Sequence, residues 1–195
     1  MPYEQEASTR NNILNVTIEV IKNEGFEEVT IRKIAALADV NVALVNYHFG
    51  SKEKLLNEVV QSILDSFRDC FHIFERLDLT PKHRLAQFFT DYMTVFKQYP
   101  QLLRRLIAAN RKHKFDTQYD YISFIKSTGI ELVLNAIKEI TSETDTQQVY
   151  SIMTQIMGAI LFPLLMAPSV MQLSGFREPD IASHVESVLD VYFRD

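Results

Sequence analysis

Apolar positions recur every three or four residues along nearly the whole chain, the spacing of helices with one buried face. In 9–24, Ile13, Leu14, Thr17, Ile18 and Ile21 fall on one side, and Gly25 follows where a helix stop favours positive φ. Thr30 is placed to cap a short helix over 31–38, which Asp39 and Val40 break. Asn41 is placed to cap a second short helix over 42–48, ended by Gly50. Ile34, Leu37 and Phe49 read as core positions of these short helices. Ser51 then opens a long helix over 52–74, with Leu56, Val59, Val60, Ile63, Phe67, Cys70, Phe71 and Phe74 on one face. At 1.5 Å per residue this helix would reach about 34 Å and could link two halves of the molecule.

The pattern continues to the C-terminus. Thr80-Pro81 is a cap followed by proline at the first helical position, and it opens a helix carrying Leu85, Phe88, Phe89, Tyr92, Phe96 and Tyr99 before Pro100. Shorter and longer helices are predicted over 101–110 and 117–140. Thr144 with Gln147 suggests a capping box for a helix over 145–167, which Pro163 should kink. Glu178-Pro179 introduces a last helix with Ile181, Val185, Val188, Leu189 and Tyr192 on one side. The expected architecture is all-α, with about nine helices, an N-terminal three-helix head in 1–50 and a larger body in 51–195.

Composition narrows this picture. Only 5 glycines and 6 prolines in 195 residues leave too few turns for a sandwich or barrel of many strands. One cysteine, Cys70, excludes an internal disulfide and a cysteine-rich zinc site, and fits a reducing, cytoplasmic setting. Cys70 and His72 together are two ligands on a helix, too few for a metal. Between Tyr150 and Arg177 there is no formal charge, but the most apolar part, 156–171, contains Pro163 and Pro168 and falls short of about 20 apolar residues. It reads as a helix buried inside the protein or against a second copy, with no membrane partner. The first eight residues include Glu4 and Glu6 and no apolar run, so no secretory signal is expected there. The formal net charge of −5 argues against a general positive field for nucleic acid.

The stretch 30–52 nevertheless has the form of a helix-turn-helix, whose second helix enters the major groove. Val42 and Ala43 can touch a thymine methyl, and Asn46 can pair with adenine. Tyr47, His48 and Lys52 stand where hydroxyl, imidazole and ammonium reach phosphate oxygens. Thr30 and the first amides of its helix form a second phosphate-binding point, with Arg32 one turn in. Residues 1–55 hold six Lys/Arg against eight Asp/Glu, a net of −2, whereas 30–54 hold four against two, a net of +2. Binding would rest on this local patch.

Gly25-Phe26, Thr30, Ile34-Ala35, Tyr47-His48-Phe49, Ser51-Lys52-Glu53 and Leu55 stand in an order and spacing that resemble the DNA-binding head of the tetracycline-repressor (TetR) family of bacterial transcription regulators. The resemblance covers 10–56. It implies an all-helical homodimer, a small-molecule pocket in the body, and a four-helix interface built from the last two helices. It assigns phosphate contacts to Thr30, Tyr47, His48 and Lys52, and base reading to Arg32, Asn41, Val42, Ala43 and Asn46. Two positions depart from the family pattern: Asp39 stands where glycine is common, and Asn46 where an aromatic residue is common. Aspartate tolerates the left-handed conformation such a turn needs.

In the body, Phe67, Phe71, Phe89, Tyr92, Phe96, Tyr121, Phe124 and Phe162 are candidate pocket residues, and their low charge suits an apolar or aromatic effector. By spacing alone, the aromatic stripe Phe88, Phe89, Tyr92, Phe96 and Tyr99 reads as core before pocket. The cations Arg104, Arg105, Arg111, Lys112 and Lys114 read as a solvated helix end. Ile152, Ile156, Ala159, Val185, Val188, Leu189 and Tyr192 are candidates for the dimer seam, Gly158 and Ala159 permitting close helix approach. No nucleophile–base pair, phosphate-cradling loop or paired carboxylates is apparent, so neither an enzyme nor a cofactor is expected. The combined expectation is a ligand-responsive repressor whose two heads sit about 34–36 Å apart on a near-palindromic operator. A helical dimer without DNA binding, or a regulator answering to a protein partner, are the alternatives.

Overall fold

The computed structural model describes residues 2–99, 129–174 and 180–193, with side chains for 6–99, 129–166 and 180–193. Among the described residues there are eight α-helices and no strands: α1 (Pro2–Glu24), α2 (Ile31–Leu37), α3 (Val42–Phe49), α4 (Lys52–Asp69), α5 (Pro81–Gln98), α6 (Ile130–Thr141), α7 (Thr146–Ser174) and α8 (Ile181–Tyr192). Short 3-10 turns cover Phe26–Glu28 and Cys70–Glu75. The helix predicted over 101–110, the first part of that over 117–140, the basic residues 104–114 and Glu178-Pro179 lie outside the described residues.

Two compact units divide the chain after Asp65, inside α4 and beyond the Gly50 boundary expected above. The reason is packing. The first turns of α4 contribute Leu55, Leu56, Val59, Val60, Ile63 and Leu64 to the head core, beside Ile13, Val20, Ile21, Val29, Ile34, Val45 and Phe49. The helix expected over 52–74 leaves α geometry at Asp69 and tightens into the 3-10 turn. Leu37, expected in the core, is 55% exposed. In α2 the buried arc runs from Ile34 through Ala38 to Ala35, and Leu37 projects from outside it.

The second unit is organised around α5. Thr80 Oγ1 accepts from the His83 amide, and Pro81 follows at the first helical position. The buried face of α5 carries Leu85, Phe88, Phe89, Tyr92, Met93 and Phe96. Phe67 packs on Tyr92 and Phe96 at ring distances of 4.9 and 4.7 Å, and Phe71 on Phe88 at 4.8 Å. A Cβ on Gly129, the residue before α6, would stand 2.0 Å from the Phe71 ring, so any other residue there must push that ring aside. Arg84, almost wholly buried, pairs with Glu139 of α6 at 2.6 Å.

The expected capping box of α7 moves by one residue. Asp145 Oδ1, not Thr144, accepts from the Gln147 amide at 2.9 Å, while Glu143 accepts from the Thr144 and Asp145 amides at 2.8 Å. A carboxylate accepts these bonds more strongly than a hydroxyl. The helix then runs on past Pro163. It is long and apolar over Thr146–Met166, yet only 17% of that window is buried within the chain. Burial on most sides within the chain is therefore not observed. Val149, Ile156 and Ile160 point inward, while Phe162 is 60% exposed and Met166 is also exposed.

Candidate nucleic-acid interface

The site begins with two helix caps. Thr30 holds an extended backbone, and its Oγ1 accepts from the Lys33 amide at 3.2 Å, starting α2. Beyond Ala38 the chain reverses. The Val40 amide donates to the Ala35 carbonyl at 2.9 Å, and Asp39 takes the left-handed conformation at φ 54°, as expected of this aspartate. Asn41 Oδ1 then accepts from the Leu44 amide at 2.8 Å and starts α3. Gly50, at φ 77°, ends α3, its amide bonded to the Asn46 carbonyl.

Burial assigns the two sides of α3. Val45 and Phe49 are buried and anchor the helix to the head core. Val42, Ala43, Asn46 and Tyr47 are all exposed, Ala43 and Tyr47 on the side opposite these anchors and Val42 and Asn46 along one edge, each pair one turn apart. Helix α1 braces this arrangement: Asn12 Nδ2 donates to the Ala38 carbonyl at 3.0 Å, beside the turn. The Arg10 guanidinium stands 5.1 Å from the Phe49 ring centroid and pairs with Glu58 of α4.

Of the residues predicted to meet DNA, Thr30, Arg32, Asn41, Val42, Ala43, Asn46 and Tyr47 are exposed, and His48 and Lys52 are half-buried. His48 differs from expectation in detail. Its Nε2 is buried and has no hydrogen-bond partner among the described residues, and its ring lies edge-on to Tyr47 and Phe49. A buried Nε2 is not placed to reach a phosphate.

Ion pairing sorts the head's cations. Arg10 pairs with Glu58, Lys22 with Glu19 at 3.0 Å, and Lys33 with Glu24 at 2.6 Å. Arg32, Lys52 and Lys54 have no ion-pair partner among the described residues, and all three belong to the helix-turn-helix or its exit. Lys54 was not among the predicted contacts; its charge in the 30–54 patch was the available signal. Glu53 at the start of α4 is held below the usual carboxylate range by its backbone amide and Ser51. Another unpredicted residue is Glu6, whose Oε1 accepts from the Tyr47 hydroxyl at 3.0 Å. This bond, with the carboxylate's charge, raises the Tyr47 phenol above its ordinary value. Nothing in the spacing of Glu6 and Tyr47 signals the contact.

The body candidates separate. Phe67, Phe71, Phe89, Tyr92 and Phe96 are buried against one another, whereas Phe162 is exposed. Tyr121 and Phe124 lie outside the described residues. Among the seam candidates, Ile156, Val185 and Leu189 are at most 1% exposed within the chain. They form the inward stripe of α7 and α8 and are not free to face a second copy. Ile152, Val188 and Tyr192 are half-buried and Ala159 is exposed. Among the described residues no group of three or more His, Cys, Asp or Glu could hold a metal ion.

Residues 13–59 match the family model described as bacterial regulatory proteins, tetR family. The HTH-type transcriptional repressor NicS of Pseudomonas putida is 33% identical over 108 residues, covering 55% of this chain and 50% of that protein. The HTH-type transcriptional regulator BetI of Rhizobium meliloti is 33% identical over 81 residues, covering 42% of this chain and 40% of that one. The chain thus matches half or less of these relatives' length. In solved structures the fold recurs across nearly the whole chain. A TetR-like transcriptional regulator from a Rhodococcus species superposes with a TM-score of 0.68 at 18% identity, covering 95% of this chain and 94% of that one. The TetR family regulator PfmR from Thermus thermophilus gives 0.65 at 17% identity, covering 93% and 97%.

Proposed function

We propose that this chain, whose residues 13–59 match the model of the tetR family of bacterial regulatory proteins, is a member of that family and a DNA-binding transcriptional repressor that works in the bacterial cytoplasm. The observation that carries this reading is the outward face of α3. Val42, Ala43, Asn46 and Tyr47 stand clear of the core on a helix started by an asparagine cap and preceded by a left-handed turn. Such a helix presents small apolar contacts and an amide to base edges in the major groove. Thr30 and the first amides of α2 supply one phosphate contact, and Arg32, Lys52 and Lys54 supply positive charge that has no ion-pair partner among the described residues. An acidic chain then binds DNA through a small basic patch.

Dimerisation belongs to the same reading. The exposed side of α7, with Ala159, Phe162 and Met166, and the half-buried Val188 and Tyr192 of α8 are the surface a second copy would cover. A small apolar or aromatic effector in the body would act through α4, the helix whose residues belong to both units. An effector that shifts operator affinity does so through a coupling of about 1–3 kcal/mol.

The test is selection of bound duplexes from random sequence, followed by equilibrium binding of the recovered site. The expected result is a near-palindrome with half-sites about one helical turn apart. Asn46→Ala should relax preference at one position of each half-site by about 1–3 kcal/mol. A pool without enrichment, or binding that does not weaken with salt, would overturn the reading.

A further inference from the structure

Tyr47 is the most exposed of the aromatic side chains on the outward face of α3, at 71%, and packing does not hold its phenol in place. What holds it is Glu6, one long step back along the chain in α1, whose carboxylate accepts the hydroxyl at 3.0 Å. In a DNA complex that same hydroxyl would donate to a phosphate oxygen. A carboxylate and a phosphate are the same kind of acceptor, anionic oxygens that take a charge-assisted hydrogen bond. A phenol has one proton to give. The two acceptors therefore compete.

The charge on Glu6 is also uncompensated. The helix partner expected four residues on is Arg10, but Arg10 is turned away, paired with Glu58 and stacked on Phe49. Glu19, Glu24 and Glu58 of the head each have a cation, whereas Glu6 has none among the described residues. An unpaired carboxylate beside the surface where a polyanion would dock disfavours that polyanion.

We propose that Glu6 is an internal stand-in for phosphate, clasping Tyr47 in the free protein so that a duplex must displace it to complete its contact. The inference rests on the DNA-binding reading and adds to it a brake built into α1. The brake acts on every duplex alike, because it concerns backbone phosphate and not bases. It lowers non-specific occupancy and leaves discrimination to the base-reading residues.

The experiment compares wild type, Glu6→Gln, Tyr47→Phe and the double variant on a random-sequence duplex of about 30 base pairs, across a salt series. Both sites are exposed, and a circular-dichroism melt of each variant establishes that all four are folded. Glu6→Gln is expected to tighten binding about fivefold at low salt, with the gain shrinking as salt rises. In the Tyr47→Phe background the same change should gain markedly less, because there is no hydroxyl whose charge-assisted bond it weakens. Equal gains in both backgrounds would reduce Glu6 to simple repulsion and overturn the clasp. An unchanged affinity for Glu6→Gln would overturn it as well. Wild-type protein that binds no duplex at any salt would instead overturn the regulator reading, and the brake with it.

Discussion

The imidazole Nε2 of His184, on α8, lies 3.2 Å from the carbonyl oxygen of Ala159, on α7. In an unbroken helix that carbonyl would accept from the amide of residue 163, which is proline and has none. His184 supplies the donor that Pro163 lacks. The bond meets the carbonyl that the proline leaves free, and it ties α7 to α8.

The pairing predicts a dependence between the two sites. His184→Ala should lower stability by about 1 kcal/mol, since it leaves the Ala159 carbonyl without its donor. Pro163→Ala restores a backbone donor, and in that background His184→Ala should cost less. Urea denaturation of the four variants at one fixed protein concentration measures the coupling. Equal costs in both backgrounds would mean that His184 does something else.

Asp39 sits at φ 54° between α2 and α3. Aspartate bears this conformation better than most residues, and a β-branched residue bears it badly. Asp39→Val should destabilise the head by about 1–2 kcal/mol, whereas Asp39→Gly should leave stability unchanged or slightly raised. The comparison is read from urea midpoints at constant slope.

Gly129 and Phe71 predict a steric rescue. A Cβ at 129 would fall inside the Phe71 ring envelope, so Gly129→Ala should cost about 1–3 kcal/mol by forcing that ring aside. Phe71→Leu opens space at the cost of buried area. The double variant should be more stable than the sum of the two single losses allows. Thermal melts of all three decide the matter.

These positions divide what pattern reveals from what it does not. The caps Thr30, Asn41 and Thr80 were legible, because a cap is a local bond between a side chain and an amide three residues on. The left-handed Asp39 was legible for the same reason. The outward face of α3 followed from its period. Leu37 was misplaced because α2 has only seven residues, too few turns for the pattern to fix which arc is buried. His184 with Ala159, Glu6 with Tyr47 and the cation sorting by Glu24 and Glu58 are contacts between distant segments, for which spacing carries no signal.

Cys70 yields a prediction in pH. Burial, and secondarily the Asp91 charge, push its thiol up to about 12 from an ordinary value near 9. The folded state thus holds a proton that the unfolded chain gives up first. The corresponding stability is complete below about pH 9 and is lost as pH rises toward 12. At about pH 8 the native thiol should resist a soluble disulfide reagent, and in urea it should react as one equivalent per chain. Fast reaction of the native protein would contradict this burial.

The cap on α3 has one more consequence, and it concerns what the helix can read. The Asn41 carbonyl oxygen is engaged by the Leu44 amide at 2.8 Å, which occupies one of its two lone pairs and fixes its direction. At a base edge Asn41 then offers its NH₂ first. It can address the acceptors of guanine or thymine, whereas the two-way pairing that adenine requires would compete with the cap. An amide with neither end hydrogen-bonded among the described residues stands five residues further on, at Asn46. The two asparagines of this helix are chemically unequal, and the local fold of α3, rather than the residue type, divides their vocabulary between them.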